Sequence, residues 1–145
     1  MFKHILIPTD GTDLSRKAVI YGAQLAKSVG ARITAISVSE PYHVASMDAV
    51  LVAETPEEHD AQTARIAERA LEQVRMAAEA ASVAVETVRE THDQPYRAII
   101  ECALARKCDL IVMASHGRRG VAALLVGSET AKVLTHSTIP VLVYR

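Results

Sequence analysis

Short apolar runs alternate along this chain with longer stretches whose apolar residues recur every three or four positions. The first run, Phe2 to Pro8, holds Ile5, Leu6 and Ile7 without a polar break. Such continuity marks a strand covered on both faces of a parallel sheet. Pro8-Thr9-Asp10-Gly11 ends it, and Thr12 or Asp13 is placed to cap a helix. Ala18, Val19, Gly22, Leu25, Ala26 and Val29 then repeat at helical spacing until Gly30, a helix stop. Ala31 to Val38 reads as a second strand. Ser39 to Pro56 is long for a connection. Within it Val44, Met47 and Leu51 predict a short helix or flap, read as a packing segment or dimer contact, with a ligand lid as the other reading.

The second half repeats the scheme. Glu57 to Ala81 is an amphipathic helix with Ala64, Ala67, Leu71, Val74 and Ala78 on one stripe. Val83 to Glu90 is β-branched but charged, which suggests an edge strand. Pro95 opens a third helix with Ala98, Ile99, Cys102 and Ala105 inward, and Asp109 to Ala114 is a fourth strand. Ser128 to His136 is the last helix and Ile139 to Tyr144 the last strand. The order β-α-β-α-β-α-β-α-β predicts an α/β fold: a five-stranded parallel sheet, doubly wound, with right-handed crossovers and helices on both faces.

Composition narrows the core and the function classes. The 145 residues suit one domain spanning 1–145. Half the residues are hydrophobic, yet there is one Phe, four Tyr and no Trp, so the core is aliphatic. A formal charge of −1 argues against a general nucleic-acid binder. No apolar run reaches the roughly 18 residues of a membrane span. The start, Met-Phe-Lys-His-Ile-Leu-Ile, lacks a signal-peptide layout, so a cytoplasmic location is expected. Cys102 and Cys108 read as reduced thiols, because their spacing is neither a redox nor a zinc pair. The histidines form no ligand-spaced cluster, and no Ser-His-Asp or paired-carboxylate set can be assigned.

The chemistry concentrates between Met113 and Thr130, where a strand leads through a basic, glycine-containing loop into a helix start. Helix N-termini carry unpaired N–H groups and partial positive charge, so they accept phosphates. Gly127-Ser128 has no intervening Lys, which excludes a P-loop, and the G-x-G-x-x-G fingerprint is absent. What stands instead is Gly117, nine residues, then Gly127-Ser128.

This pattern resembles the universal stress protein family, whose nucleotide-binding members carry G-x2-G-x9-G-S/T. The match covers Gly117, Gly127 and Ser128, and departs at Ala114, where the family pattern has its first glycine. The resemblance runs the full length, from Ile-Leu-Ile-Pro-Thr-Asp to Ile-Pro-Val-Leu-Val. It implies strand order 3-2-1-4-5, which periodicity alone does not supply. In such a sheet ligands sit at the carboxyl ends of the strands where the order reverses. Asp10 and Ala114 to Gly117 then face each other across one crevice.

Each candidate residue has a plainer reading beside the functional one. Gly117, Gly127 and Ser128 form a phosphate cradle, or else two loop glycines and an ordinary helix cap. Thr130 offers a hydroxyl to phosphate. Glu129 suits the helix dipole but repels phosphate unless it points away or meets Mg²⁺; it is expected to point away. Asp10 is an adenine or ribose contact by resemblance, with Pro8 and Thr9 on the same wall, or an Asx-turn residue. Val38 offers its backbone to the adenine edge by resemblance, while its side chain is core. Met113 reads first as core and second as ligand wall. Arg118 and Arg119 clamp phosphates or, as preferred here, are solvated. His116 is a weak catalytic candidate.

The resemblance implies a stress-response regulatory protein that binds an adenine nucleotide (ATP, ADP or AMP), with or without Mg²⁺. It also implies a homodimer through the last strand. A regulatory protein partner and an expected absence of nucleic acid, of membrane and of turnover beyond a slow ATPase complete the expectation. Two alternatives stand beside it. One is a nucleotide-free dimeric scaffold. The other is a slow ATPase or self-phosphorylating protein using Asp10 or His116, which would lack the Lys or Arg clamp of efficient phosphoryl transfer. A receiver domain is excluded, because strand three ends Arg89-Glu90-Thr91 without an acceptor Asp.

Overall fold

The computed structural model describes residues 1–43, 54–117 and 125–145. Its strands are β1 (His4–Pro8), β2 (Arg32–Ser39), β3 (Val85–Thr91), β4 (Leu110–Ala114) and β5 (Val141–Tyr144). Its helices are α1 (Asp13–Val29), α2 (Pro56–Ala81), α3 (Pro95–Ala105) and α4 (Ser128–His136). All strand pairs are parallel, in the order β3-β2-β1-β4-β5. The expected fold class is therefore the observed one. The segment with Val44, Met47 and Leu51 lies outside the described residues, as do Arg118 and Arg119.

The period of two along each strand splits the core into two layers. Ile5 and Ile7 of β1, Ile33 and Ala35 of β2 and Val112 of β4 pack under Val19, Ala23 and Ala26 of α1 and Leu71, Val74 and Ala78 of α2. Leu6, Ile36, Ile111 and Met113 turn to the other face and meet Ile99, Cys102 and Ala103 of α3 and Val133 of α4. Each fully buried Leu or Ile contributes about 1.5–3 kcal/mol over leaving it exposed. Gly22 lets α1 lie close to the sheet, since a Cβ there would stand 2.7 Å from Ile7 Cδ1.

Local signals set the helix ends. Thr12, not Asp13, caps α1: its side chain accepts from the Ser15 backbone N–H. Gly30 closes the helix in the left-handed region at φ 69°. Thr55 and Glu58 form a capping box ahead of α2, with Pro56 in its first turn. One expected core position is corrected. Ala105 is exposed and Ala103 is fully buried in its place. The buried face of α3 runs through 98, 99, 102 and 103, and the chain leaves the helix just past Ala105 by a turn in which Cys108 N–H donates to the Ala103 carbonyl at 2.8 Å. Cys102 and Cys108 are free and buried, and burial pushes the Cys108 thiol up to about 11, so both are poor nucleophiles.

Candidate functional site

At the carboxyl ends of β1, β2 and β4 the sheet opens into a cavity of about 450 Å³. All twelve candidates line it: Pro8, Thr9, Asp10, Val38, Met113, Ala114, His116, Gly117, Gly127, Ser128, Glu129 and Thr130. The strand order explains the convergence. β1 connects toward one side of the sheet and β4 toward the other, so their exits diverge and leave a crevice between them.

Asp10 lines the cavity and forms the Asx turn of its plainer reading. Its Oδ1 accepts from the Thr12 N–H at 3.0 Å and the Thr12 hydroxyl at 2.7 Å, which is an Asx turn. Its Oδ2 faces Gly117, where any Cβ would collide with it. Gly117 thus lets the β4 exit approach the β1 exit. Behind them Thr9 Oγ1 bonds Ser15 Oγ at 2.8 Å, tying the same wall to α1.

Val38 owes its position to a difference in strand length. The β1–β2 pairing stops at Pro8 and Ile36, and the Thr9 N–H still reaches the Ile36 carbonyl at 2.9 Å. β2 continues through Ser39 against β3. Backbone groups alternate sides along a strand, so the N–H and C=O of Val38 turn the same way as those of Ile36, past the end of β1. They present a donor and an acceptor side by side at the cavity wall.

On the opposite wall Gly127 is the N-cap of α4 and supplies no side-chain bond to the helix. The first-turn N–H groups therefore open toward the cavity with the positive end of the helix dipole. Gly127 fits tightly: its N–H donates to the Ser115 carbonyl at 2.6 Å, and a Cβ there would lie 3.0 Å from His116 Cβ and 3.1 Å from His116 Cα. The role expected of the Thr130 hydroxyl is corrected. It is buried and donates to the Ala114 carbonyl at 2.9 Å, so at this position only the backbone remains to meet a ligand. Glu129 is held on the α3 side: Oε2 accepts from the Tyr96 N–H at 2.9 Å, and Oε1 pairs with Lys132 Nζ at 3.1 Å. Met113 is 6% exposed and belongs to the second core layer as well as to the cavity wall.

Sequence reasoning missed the contribution of α2. Its first turns bring His59, Thr63 and Ile66 to the cavity, beside Ser37, Ser39 and Glu40 at the end of β2. The available signal was topological: a helix that follows β2 begins near the carboxyl ends of the strands. His59 Nε2 lies 3.0 Å from the Glu40 carbonyl and Nδ1 lies 3.2 Å from Glu54 Oε2. Both partners are acceptors, and only an imidazolium donates from both nitrogens. The Glu40 carbonyl first and the Glu54 carboxylate next hold that proton, raising the pKa above 6.5, and Asp60 adds to it. A raised folded-state pKa gives stability that is complete below the unfolded value and is lost as pH rises through the folded one. His4, buried at the other end of the sheet, has the opposite sign: burial lowers its pKa, so its contribution is lost as pH falls. Melting curves of the wild type and His59→Gln between pH 6 and pH 8.5 separate the two. The wild type is expected to lose its margin over the variant as pH rises, and a margin independent of pH would exclude the charged latch.

A doubly wound parallel α/β sheet, with a cavity at its switch point and the N-terminus of α4 on one wall, places this chain in the class of open α/β folds whose ligand sites, where present, lie at that crevice. A sequence model of the Universal stress protein family matches residues 1–145. The chain is 34% identical over 146 residues to a universal stress protein of Thermus aquaticus, covering all of both chains. Among solved structures it is similar to universal stress protein UspA from Lactobacillus plantarum, at 26% identity and TM-score 0.80, covering 99% of this chain and 98% of that one. It is also similar to a universal stress protein crystallised in complex with cAMP, at 25% identity and TM-score 0.73, covering 99% and 97%. The chain belongs to the universal stress protein family. Among the described residues no helix is long and apolar enough to cross a membrane.

Proposed function

We propose that this chain is a regulatory stress protein that binds an adenine nucleotide in the crevice between β1 and β4. The observation that carries the reading is the uncapped N-terminus of α4 opening onto a cavity of about 450 Å³. Phosphate lies at Gly117, Gly127 and Ser128 and on the backbone N–H groups of Glu129 and Thr130. Adenine lies against Pro8, Thr9, Met113 and Ala114, with its edge on the backbone of Val38 and its ribose near Asp10. The cAMP complex of a similar universal stress protein supports the ligand class. The nucleotide is bound with or without Mg²⁺ on its phosphates. The role is binding that reports to a partner, not turnover.

Calorimetry with ATP, ADP and AMP tests the reading. Heat of binding and a melting temperature that rises with ligand concentration are expected. No heat and no stabilisation at millimolar ligand would leave the nucleotide-free scaffold as the better account.

Assembly belongs to the same proposal. The two sheet edges differ in chemistry. β3 carries Glu86, Arg89 and Glu90, whereas β5 reads Val-Leu-Val-Tyr. Charges protect an edge from pairing, and β5 has none. Tyr21 of α1, 40% exposed, packs on Tyr144 of β5 with ring centroids 5.6 Å apart, extending that apolar edge. We infer a homodimer in which two β5 edges meet about a two-fold axis.

A further inference from the structure

Three carboxylates, those of Asp10, Glu40 and Glu129, belong to residues that line the cavity, and His59 lines it beside them. Asp10 Oδ2 faces Gly117 on the β1 side, and Glu129 is the acidic residue of the α4 wall, one residue after Ser128 in the first turn of that helix. It is also fixed. The N-cap of α3, Gln94, makes no side-chain cap bond, and the Glu129 carboxylate takes over by accepting from the Tyr96 N–H. This carboxylate therefore caps a second helix from across the cavity wall. Swinging it away from a ligand would cost the Tyr96 bond and the Lys132 pair together. The pair with Lys132 is partly exposed on both sides, so solvent screens the cation and the carboxylate alike.

We propose that Glu129 is a charge filter that makes this site prefer adenine ligands of low phosphate charge, a cyclic or simple monophosphate, over the triphosphate. The inference rests on the nucleotide reading above. The α4 N-terminus attracts the first phosphate through N–H groups and dipole. Each further phosphate charge adds repulsion from a carboxylate fixed on the α4 wall, and because the Glu129 side chain is partly exposed, salt screens that repulsion. Mg²⁺ on the ligand offsets part of it.

Calorimetry of cAMP, AMP and ATP against the wild type and Glu129→Gln, in EDTA and at low salt, tests the filter. The wild type is expected to bind cAMP and AMP more tightly than ATP. Glu129→Gln should raise affinity about fivefold for ATP and about twofold or less for cAMP, graded by ligand charge and shrinking as salt is added. The amide oxygen of the replacement still accepts from the Tyr96 N–H, so the fold is expected to hold. Lys132→Met, which keeps the carboxylate and removes its cation, should shift the ATP-to-cAMP ratio the opposite way. A merely structural role would move all three ligands together, and an equal change for all of them, or none, overturns the filter while leaving nucleotide binding intact. Absence of binding by every ligand to both proteins overturns the nucleotide reading and the filter with it.

Discussion

Gly127→Val is expected to weaken adenine-nucleotide binding at least about tenfold, equivalent to roughly 1.4 kcal/mol. The glycine is not required for its backbone angles, since φ is −73°. Space is the constraint. The first atom of any side chain would press on Cα and Cβ of His116, and a backbone atom cannot swing aside as a side-chain end can. Valine adds two methyl groups to that contact. Relief requires the start of α4 to move away from the β4 exit, stretching the 2.6 Å bond from Gly127 N–H to the Ser115 carbonyl. The N–H groups of the cradle move with it, and hydrogen bonds weaken steeply once distance and angle depart from their optima. Gly127→Ala should show the same effect at smaller size. Calorimetry decides: an affinity for the valine variant within twofold of the wild type would mean that phosphate is held elsewhere.

Val143→Lys is expected to convert the proposed dimer to monomers at micromolar concentration, weakening association by tenfold or more. Val143 lies on the exposed edge strand opposite Met113 of β4 and is only partly buried within one chain. Its burial would be completed by a second copy. An ammonium at that place must be desolvated on association without a partner, which costs several kcal/mol at a dry interface. In the monomer the same side chain reaches water, so the melting temperature should change little. Light scattering reads the outcome. A wild-type mass equal to one chain would end the dimer proposal, and a variant that stays dimeric would place the interface away from β5.

Much of the fold was legible in the chain because its causes are local. The unbroken run Ile5-Leu6-Ile7 told of a strand covered on both faces, and the two core layers divide those three residues between them. Gly30 and Thr12 act on the turns next to them, so the ends of α1 could be read within a residue or two. The charges of Val83 to Glu90 marked an edge, and β3 lies at one. Gly127-Ser128 announced the start of α4 for the same reason. The strand order came with the family resemblance, because periodicity says which residues face a core and not which strand lies beside which.

Tertiary structure alone decided the polar partners. Nothing near Glu129 in the chain reveals that its carboxylate caps α3, 33 positions away, nor that the Thr130 hydroxyl is taken by the carbonyl of Ala114. His59 entered the site because α2 begins beside the end of β2, and Val38 presents its backbone because β1 stops short of β2. Ala105 yielded to Ala103 because the chain leaves α3 at that turn. Periodic burial is written in neighbouring residues, since the hydrophobic effect is non-directional and acts on whole faces. Hydrogen bonds depend on distance and angle between single atoms, and those are set only when separate elements have packed.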